Sequence, residues 1–315
     1  MRQRQNFVLP SISQTYAGEA SGKYIAAALL SAKTLDQEAV SIMPNVKYKS
    51  IVQKLDVSGI VHDASCDFTN SGSVSLGERV LEPKELQVNL ELCKSEFVSS
   101  WEALQLGYSA FDEIPADFND FLVSYVGGKV AEATEQSIWA GNSSTNGEFG
   151  GFLPIISASA ATGGAGDAIQ SSASGSITSA NVIAKLEALE TSIPNAVYGK
   201  EDLEIYVPTN VVKAYQQAIG ANYANGWNNQ VTVGKKPLDY NGIPLMHCPG
   251  MTSSYLVAAQ KSNLFFGTGL LSDYNEVKVL DMADLDGSQN YRVIMRYTAG
   301  TQTGINGDIA IHIPS

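Results

Sequence analysis

Three patterns predict an α+β fold for this chain. Residues 118–142, FNDFLVSYVGGKVAEATEQSIWAGN, repeat apolar side chains at intervals of three and four, the spacing of one buried helix face. Residues 85–93, ELQVNLELC, alternate apolar and polar without error, the period of a half-buried strand. Beyond residue 200, strand patterns are interspersed with short helices and do not repeat a regular strand–helix unit.

The totals set bounds on function. With 315 residues, 44% of them hydrophobic, the chain has ample material for a core and for about two domains. Its formal charge of −12, from 20 Lys and Arg against 32 Asp and Glu, argues against nucleic-acid binding as a main task, because neutralising phosphates needs clustered basic groups. The start, MRQRQ, carries two arginines with no apolar run behind it, unlike a signal peptide, and no stretch reaches about 18 uninterrupted apolar residues. The expectation is a soluble protein without a membrane partner.

The elements follow in order. Residues 1–45 are a polar tail and an Ala-rich helix, GEASGKYIAAALLSAKTLDQEA, broken at Met43-Pro44-Asn45. From Val46 the pattern turns extended, with Val46, Tyr48, Val52 and Val57 among polar residues, and the clean alternation at 85–93 returns. Between these strands lies a long Ser-, Gly-, Asn- and Asp-rich segment, so residues 46–92 are expected to project as a hairpin. A projecting two-stranded ribbon cannot bury its apolar side on its own chain. Leu86, Val88, Leu90 and Leu92 share one side of the returning strand and are therefore the predicted contact with a neighbouring subunit.

A helix running from near Pro115 to Gly141 spans about 37 Å. Phe118, Phe121, Leu122, Tyr125, Val126, Val130, Ala133 and Ile138 fall on its apolar face, and Asn119, Lys129, Glu132 and Glu135 on the side expected to meet solvent. Residues 157–181, SASAATGGAGDAIQSSASGSITSAN, read as a surface loop. Thr178 or Ser179 then caps a helix whose Val182, Ile183, Leu186, Leu189 and Ile193 share a face. LEIYV forms a strand leading through Pro208 into the helix VVKAYQQAIG; IPLMHC, SYLVAAQ, EVKVLDM, QNYRVIMRYTA and DIAIHI are further strands.

Candidate chemistry is sparse. Cys66, Cys93 and Cys248 have no CxxC spacing. His247 and Cys248 are adjacent in an extended segment and point to opposite faces, a poor geometry for joint ligation, while His312 alternates with Ile311 and Ile313 as part of a terminal strand. Asp281, Asp284 and Asp286 before Gly287 depart from the calcium-loop spacing and lack its closing Glu. The Gly18 and Gly22 segment lacks the GK[ST] of a phosphate loop, and no G-x-S-x-G elbow occurs. In NYANGWNNQ, Tyr223 or Trp227 reads as a loop anchor and not as a ligand platform. No catalytic, cofactor or metal residue is assigned, and no cofactor is expected.

The order of these features resembles the major capsid proteins of tailed bacteriophages, the Hong Kong 97-like fold. LEPKELQVNLELCKSEFVSSW resembles the return of the family's extended loop, 115–141 its spine helix, and IWAGNSSTNGEFGGFLP, with Gly141, Gly150 and Gly151, the turn after it. LEIYVPTNVVKAY and YNGIPLMHCPGM are similar to steps of the axial domain, and NYRVIMRYTAGTQTGINGDIAIH to the closing strands. The resemblance implies an arm at 1–45, an extended hairpin loop at 46–92, a peripheral domain at 93–151 and 273–304, and an axial domain at 152–272 and 305–315.

It also implies a structural, non-enzymatic protein that self-assembles into the icosahedral shell around a double-stranded DNA genome, without sequence-specific binding. The subunits would form hexamers and pentamers in a virion capsid assembled in the host bacterial cytoplasm. Scaffolding and portal proteins, and a decoration protein, are the implied partners. Residues 1–45 are shorter than the cleaved segment that some members carry, which implies a separate scaffold. Lys47, Lys49 and Lys54 have no identifiable Asn partner, so covalent welding of subunits is not expected. An encapsulin-type nanocompartment shell is the alternative within the same fold, and a carbohydrate-binding or hydrolytic enzyme the remoter one.

Overall fold

The computed structural model describes residues 33–46, 48–61, 63, 64, 66, 72–93, 116–164, 166–172, 175–222, 238–269, 277–282, 287, 288 and 290–314. The expectations placed on the arm before residue 33, on Lys47, Tyr223 and Trp227, and on Asp284 and Asp286 lie outside the described residues. The chain divides into two compact units, one containing 88–125 and 277–294 and a larger one containing 29–87, 126–276 and 295–315.

In the larger unit, β1 (Ser41–Met43) runs parallel to β10 (Leu264–Thr268), which pairs antiparallel with the C-terminal part of β12 (Asn290–Thr303). A six-stranded sheet has the order β5 (Ile169–Gln170), β13 (Ala310–His312), β9 (Leu256–Gln260), β6 (Leu203–Val207), β8 (Ile243–His247), β7 (Leu238–Tyr240). Its strands pair both ways, parallel between β6 and β8 and antiparallel between β6 and β9.

The sheet has a core because period two and period 3.6 meet on it. Leu203, Ile205 and Val207 of β6 line a cluster with Ile243, Leu245, Leu256 and Ala258. Over them lie Val182, Leu186 and Leu189 of helix α4 (Val182–Thr191) and Val211, Ala214, Tyr215 and Ala218 of α5 (Thr209–Asn222). Ile183, expected on that face, is partly exposed. Tyr206, between Ile205 and Val207, is fully buried, its ring tilted against that of Trp139 at 5.1 Å, and Trp139 in turn meets Phe152 at 5.5 Å.

Trp139 belongs to the long helix α2 (Ala116–Ala140), found within a residue of its expected bounds, and Phe152 to α3 (Phe152–Thr162). Helix α3 takes in residues 157–162, which composition had assigned to a loop; its first residues Phe152, Leu153 and Ile156 are buried and drive its formation. Val126, Val130 and Ile138 of α2 are buried as the periodicity requires, whereas Tyr125 and Ala133, expected on the same face, are exposed. Glu135 is not in solvent. The last two turns of α2 are covered, burying Thr134, Glu135, Ser137, Ile138 and Trp139 together.

The smaller unit contains β11 (Val277–Asp281), the first residues of β12 and the end of β4 (Lys84–Cys93). There Asn290 Nδ2 donates to Glu91 Oε1 at 2.6 Å and Arg292 Nε lies 3.5 Å from Glu91 Oε2. In β12, Tyr291, Val293, Met295, Tyr297 and Ala299 are buried and alternate with less buried residues, the signature of a strand with one face on a core.

The projecting hairpin is present with a different partner strand. β2 (Ser50–Ser58) pairs over nine residues with β3 (Ser73–Leu81), from Ser50 opposite Leu81 to Ser58 opposite Ser73. The stretch 80–92, expected to return along β2, is divided: its first two residues end β3, and β4 pairs with β12. One strand's alternation identifies a buried face and says nothing of which edge it pairs with.

Candidate intersubunit surface

Opposed residues of an antiparallel pair share a face, so the β2–β3 register sorts the ribbon. Ile51 with Val80, Leu55 with Leu76 and Val57 with Val74 fall on one face, interrupted only by Gln53 with Glu78. Val52 with Arg79, Lys54 with Gly77, Asp56 with Ser75 and Ser58 with Ser73 fall on the other. The ribbon is therefore amphipathic across its thickness. On the apolar face Ile51 is 52% exposed, Val74 68%, Leu76 57% and Val80 44%. Ile60 and Val61, just past the end of β2, are exposed as well. Four aliphatic side chains presented in rows are not the scattered single residues of an ordinary surface.

The base of the ribbon is clamped to the larger unit. Leu81 is fully buried against Gly267 of β10, where a Cβ would sit 2.6 Å from a Leu81 methyl; only glycine leaves that space. Arg79 Nη1 donates to Thr303 Oγ1 at 3.1 Å, and Gln302 Nε2 donates to the Val80 carbonyl at 2.8 Å. Burial holds the Arg79 guanidinium below its usual pKa, partly offset by Asp167. Lys49 and Glu82 pair at 3.2 Å across the root of the ribbon. A cleft of about 190 Å³, lined by residues including Val52, Gln53, Lys54, Phe265 and Asp308, opens beside the polar face.

At the following corner, the Lys84 ammonium donates to three backbone carbonyls, Ser143 at 3.0 Å, Thr145 at 2.9 Å and Glu148 at 2.7 Å. These belong to the turn closing α2, itself knit by Asn142 N–H to Glu148 Oε2 at 2.9 Å and Gly151 N–H to the Gly141 carbonyl at 2.8 Å. Three donors meet three acceptors, which matches the valence of an ammonium.

Of the stripe expected on β4, Leu86 is 6% exposed and buried within the chain itself. Val88 and Leu92 are half-buried, and Leu90, at 38%, is the most open of the four. The larger exposed apolar area belongs to Ile51, Val74, Leu76 and Val80. The signal was present as the alternation of Val74, Leu76, Glu78 and Val80, diluted by serines and Gly77.

Among the described residues the histidines and cysteines are dispersed. His312 is buried, with Nδ1 3.2 Å from Ser171 Oγ and Nε2 3.1 Å from the Gly175 carbonyl. His247 Nε2 is 2.8 Å from Thr209 Oγ1, and burial, then Lys33, holds its pKa below the usual value. Cys248 is fully buried and its thiol pKa is pushed well up by desolvation, the reverse of what nucleophilic chemistry needs, whereas Cys66 is exposed. Among the described residues no group of three or more His, Cys, Asp or Glu is placed to hold a metal ion.

An α+β chain with a clamped amphipathic ribbon, a 25-residue helix and a mixed six-stranded sheet has the Hong Kong 97-like fold. No protein-family model matches the sequence, and no curated protein matches it either. Solved structures similar to it include the capsid of an empty GTA particle, at 12% identity over 96% of this chain and 95% of that one, with a TM-score of 0.65. The capsid of cyanophage A-1(L) is similar at 13% identity over 95% and 96%, TM-score 0.62, and that of Myoviridae phage XM1 at 11% over 99% and 100%, TM-score 0.58. The coverage extends the likeness over nearly the full length of each chain compared.

Proposed function

We propose that this chain is the major capsid protein of a tailed bacteriophage, a structural subunit that closes into an icosahedral shell of hexamers and pentamers around double-stranded DNA. The carrying observation is the amphipathic ribbon: its base is locked into the larger unit while its apolar face is left in solvent. A contiguous exposed apolar face marks an interaction surface, and in a repeating shell a second copy of the chain covers it. Val88, Leu90 and Leu92 of β4 are proposed as a lesser part of the same kind of contact. The formal charge of −12 supports the reading, since a container of DNA gains by not adhering to its contents.

In this reading the protein resides in the virion capsid after assembly in the host cytoplasm, with scaffolding and portal proteins as partners. Negative-stain microscopy of the purified protein tests it. Closed shells or capsomers are expected; a folded monomer that forms neither at high concentration would overturn it.

A further inference from the structure

The buried Glu135 carboxylate has no part in the ribbon, and its surroundings show what it does. Helix α2 carries it into the larger unit, where it is fully covered. Thr34 N–H donates to its Oε2 at 3.1 Å, and Thr34 Oγ1 donates to its Oε1 at 2.6 Å. The same hydroxyl accepts from Trp139 Nε1 at 2.9 Å, and the Gly250 N–H is a further donor to the carboxylate. The direction of each bond follows from proton inventory. An indole N–H only donates, so Thr34 Oγ1 accepts there and its single proton goes to Glu135. The hydrogen-bond partners of the carboxylate are thus donors, which suits an acceptor on both oxygens and misfits an amide, while Asp36 places a like charge nearby. A Cβ at Gly250 would overlap the Glu135 backbone carbonyl, so the helix and the 248–251 turn approach each other as closely as glycine allows.

Thr34 opens a strap, residues 33–46, that has little structure of its own: helix α1 (Lys33–Asp36) has four residues and β1 three. Elements this short do not persist alone. Downstream the strap is tied by Tyr206 Oη donating to the Ala39 carbonyl at 2.7 Å, by the β1–β10 pairing and by Val46 N–H to the Thr268 carbonyl at 3.0 Å. Upstream, the described ties of α1 to the rest of the unit centre on Thr34 and Glu135.

We propose that Glu135 is the positioning residue of a latch that fixes the start of the 33–46 strap against the C-terminal end of the long helix. Opening the latch frees residues 33–37, while Glu38, 3.7 Å from the Lys261 ammonium, β1 and the ribbon root stay in place. A carboxylate buried with hydrogen bonds as its compensation is a poor source of stability and a good source of register.

Hydrogen exchange on the full chain tests this, with Thr34→Val, Thr34→Ser and Glu135→Gln compared with the unsubstituted protein. Valine removes the hydroxyl, and glutamine sets a donor against donors. Both are expected to speed exchange of the amides at 34–40 by about tenfold or more, while β6 and β9 keep their protection. Serine retains both donors and is expected to behave as threonine does. Unchanged exchange at 34–40 in both disruptive variants would overturn the latch, as would acceleration spread equally over β6 and β9, which would mark Glu135 as merely supporting the fold.

Discussion

Leu76 separates the ribbon's role in assembly from its role in folding. At 57% exposure, covering the rest of this side chain in a neighbour is worth about 1–1.7 kcal/mol, taking about 1.5–3 kcal/mol for complete burial of an aliphatic residue. Ile51, Val74, Leu76 and Val80 together offer about 3–7 kcal/mol per subunit before side-chain ordering is subtracted. Leu76→Ala should therefore raise the concentration needed for assembly by about tenfold, since about 1.4 kcal/mol is one decade. Leu76→Asp should abolish assembly, because an unpaired carboxylate in an apolar contact costs several kcal/mol more. Neither should change the unfolding free energy of the isolated chain by more than about 1 kcal/mol, because the site is open in the monomer. Leu81→Ala, four residues after Gly77 at the buried root, supplies the contrast and should cost about 2–5 kcal/mol of folding stability. Assembly is read by light scattering against concentration and stability by urea denaturation. Normal assembly of Leu76→Asp, or destabilisation by it as large as that of Leu81→Ala, would refute the assignment of this face.

Lys84→Met should leave the Ser143, Thr145 and Glu148 carbonyls without their common donor, raising hydrogen exchange across 142–150 with little change in β6; an unaltered turn would show that the ammonium does not order it. The pH dependence of stability carries a definite sign. Burial raises the carboxyl pKa values of Glu135 and Glu204 above their ordinary 4.5, against hydrogen bonds from Thr34 and Gly250 in the first case and the Lys261 charge in the second. The folded chain then holds protons that the unfolded chain has released. The stability they bring is complete below 4.5 and is lost as pH rises through the raised values. Asp202 runs the other way, its pKa lowered by Ser262 and Gln260, so its contribution is lost only at more acid pH. The two glutamates should raise the melting temperature as pH falls from neutral toward about 5, against a loss from His247, whose lowered pKa costs stability as pH falls through its ordinary 6.5; Glu135→Gln should remove the Glu135 part of the rise, and identical profiles for the two proteins would contradict it.

Much of the frame was legible in the sequence because it rests on local periodicity. The α2 span, the apolar faces of α4 and α5, and strands β6, β8, β9, β11, β12 and β13 all announce themselves within windows of five to fifteen residues. The order of those elements was enough to resemble one fold. Three features were decided only by tertiary structure. Strand β3 is masked in the sequence by Ser73, Ser75 and Gly77 and becomes a strand through its ladder with β2. The flawless alternation of 85–93 marked a strand, yet its partner is β12, some 200 residues away in the chain, so Leu86 is buried at home and the open apolar face lies on β2 and β3. Glu135 reads as a solvent position on any helical wheel, and only the arrival of Thr34, 101 residues earlier, turns it into a buried acceptor. Periodicity records which side of an element avoids water. Which distant segment arrives to cover that side is settled by packing and hydrogen-bond partners that no local window contains.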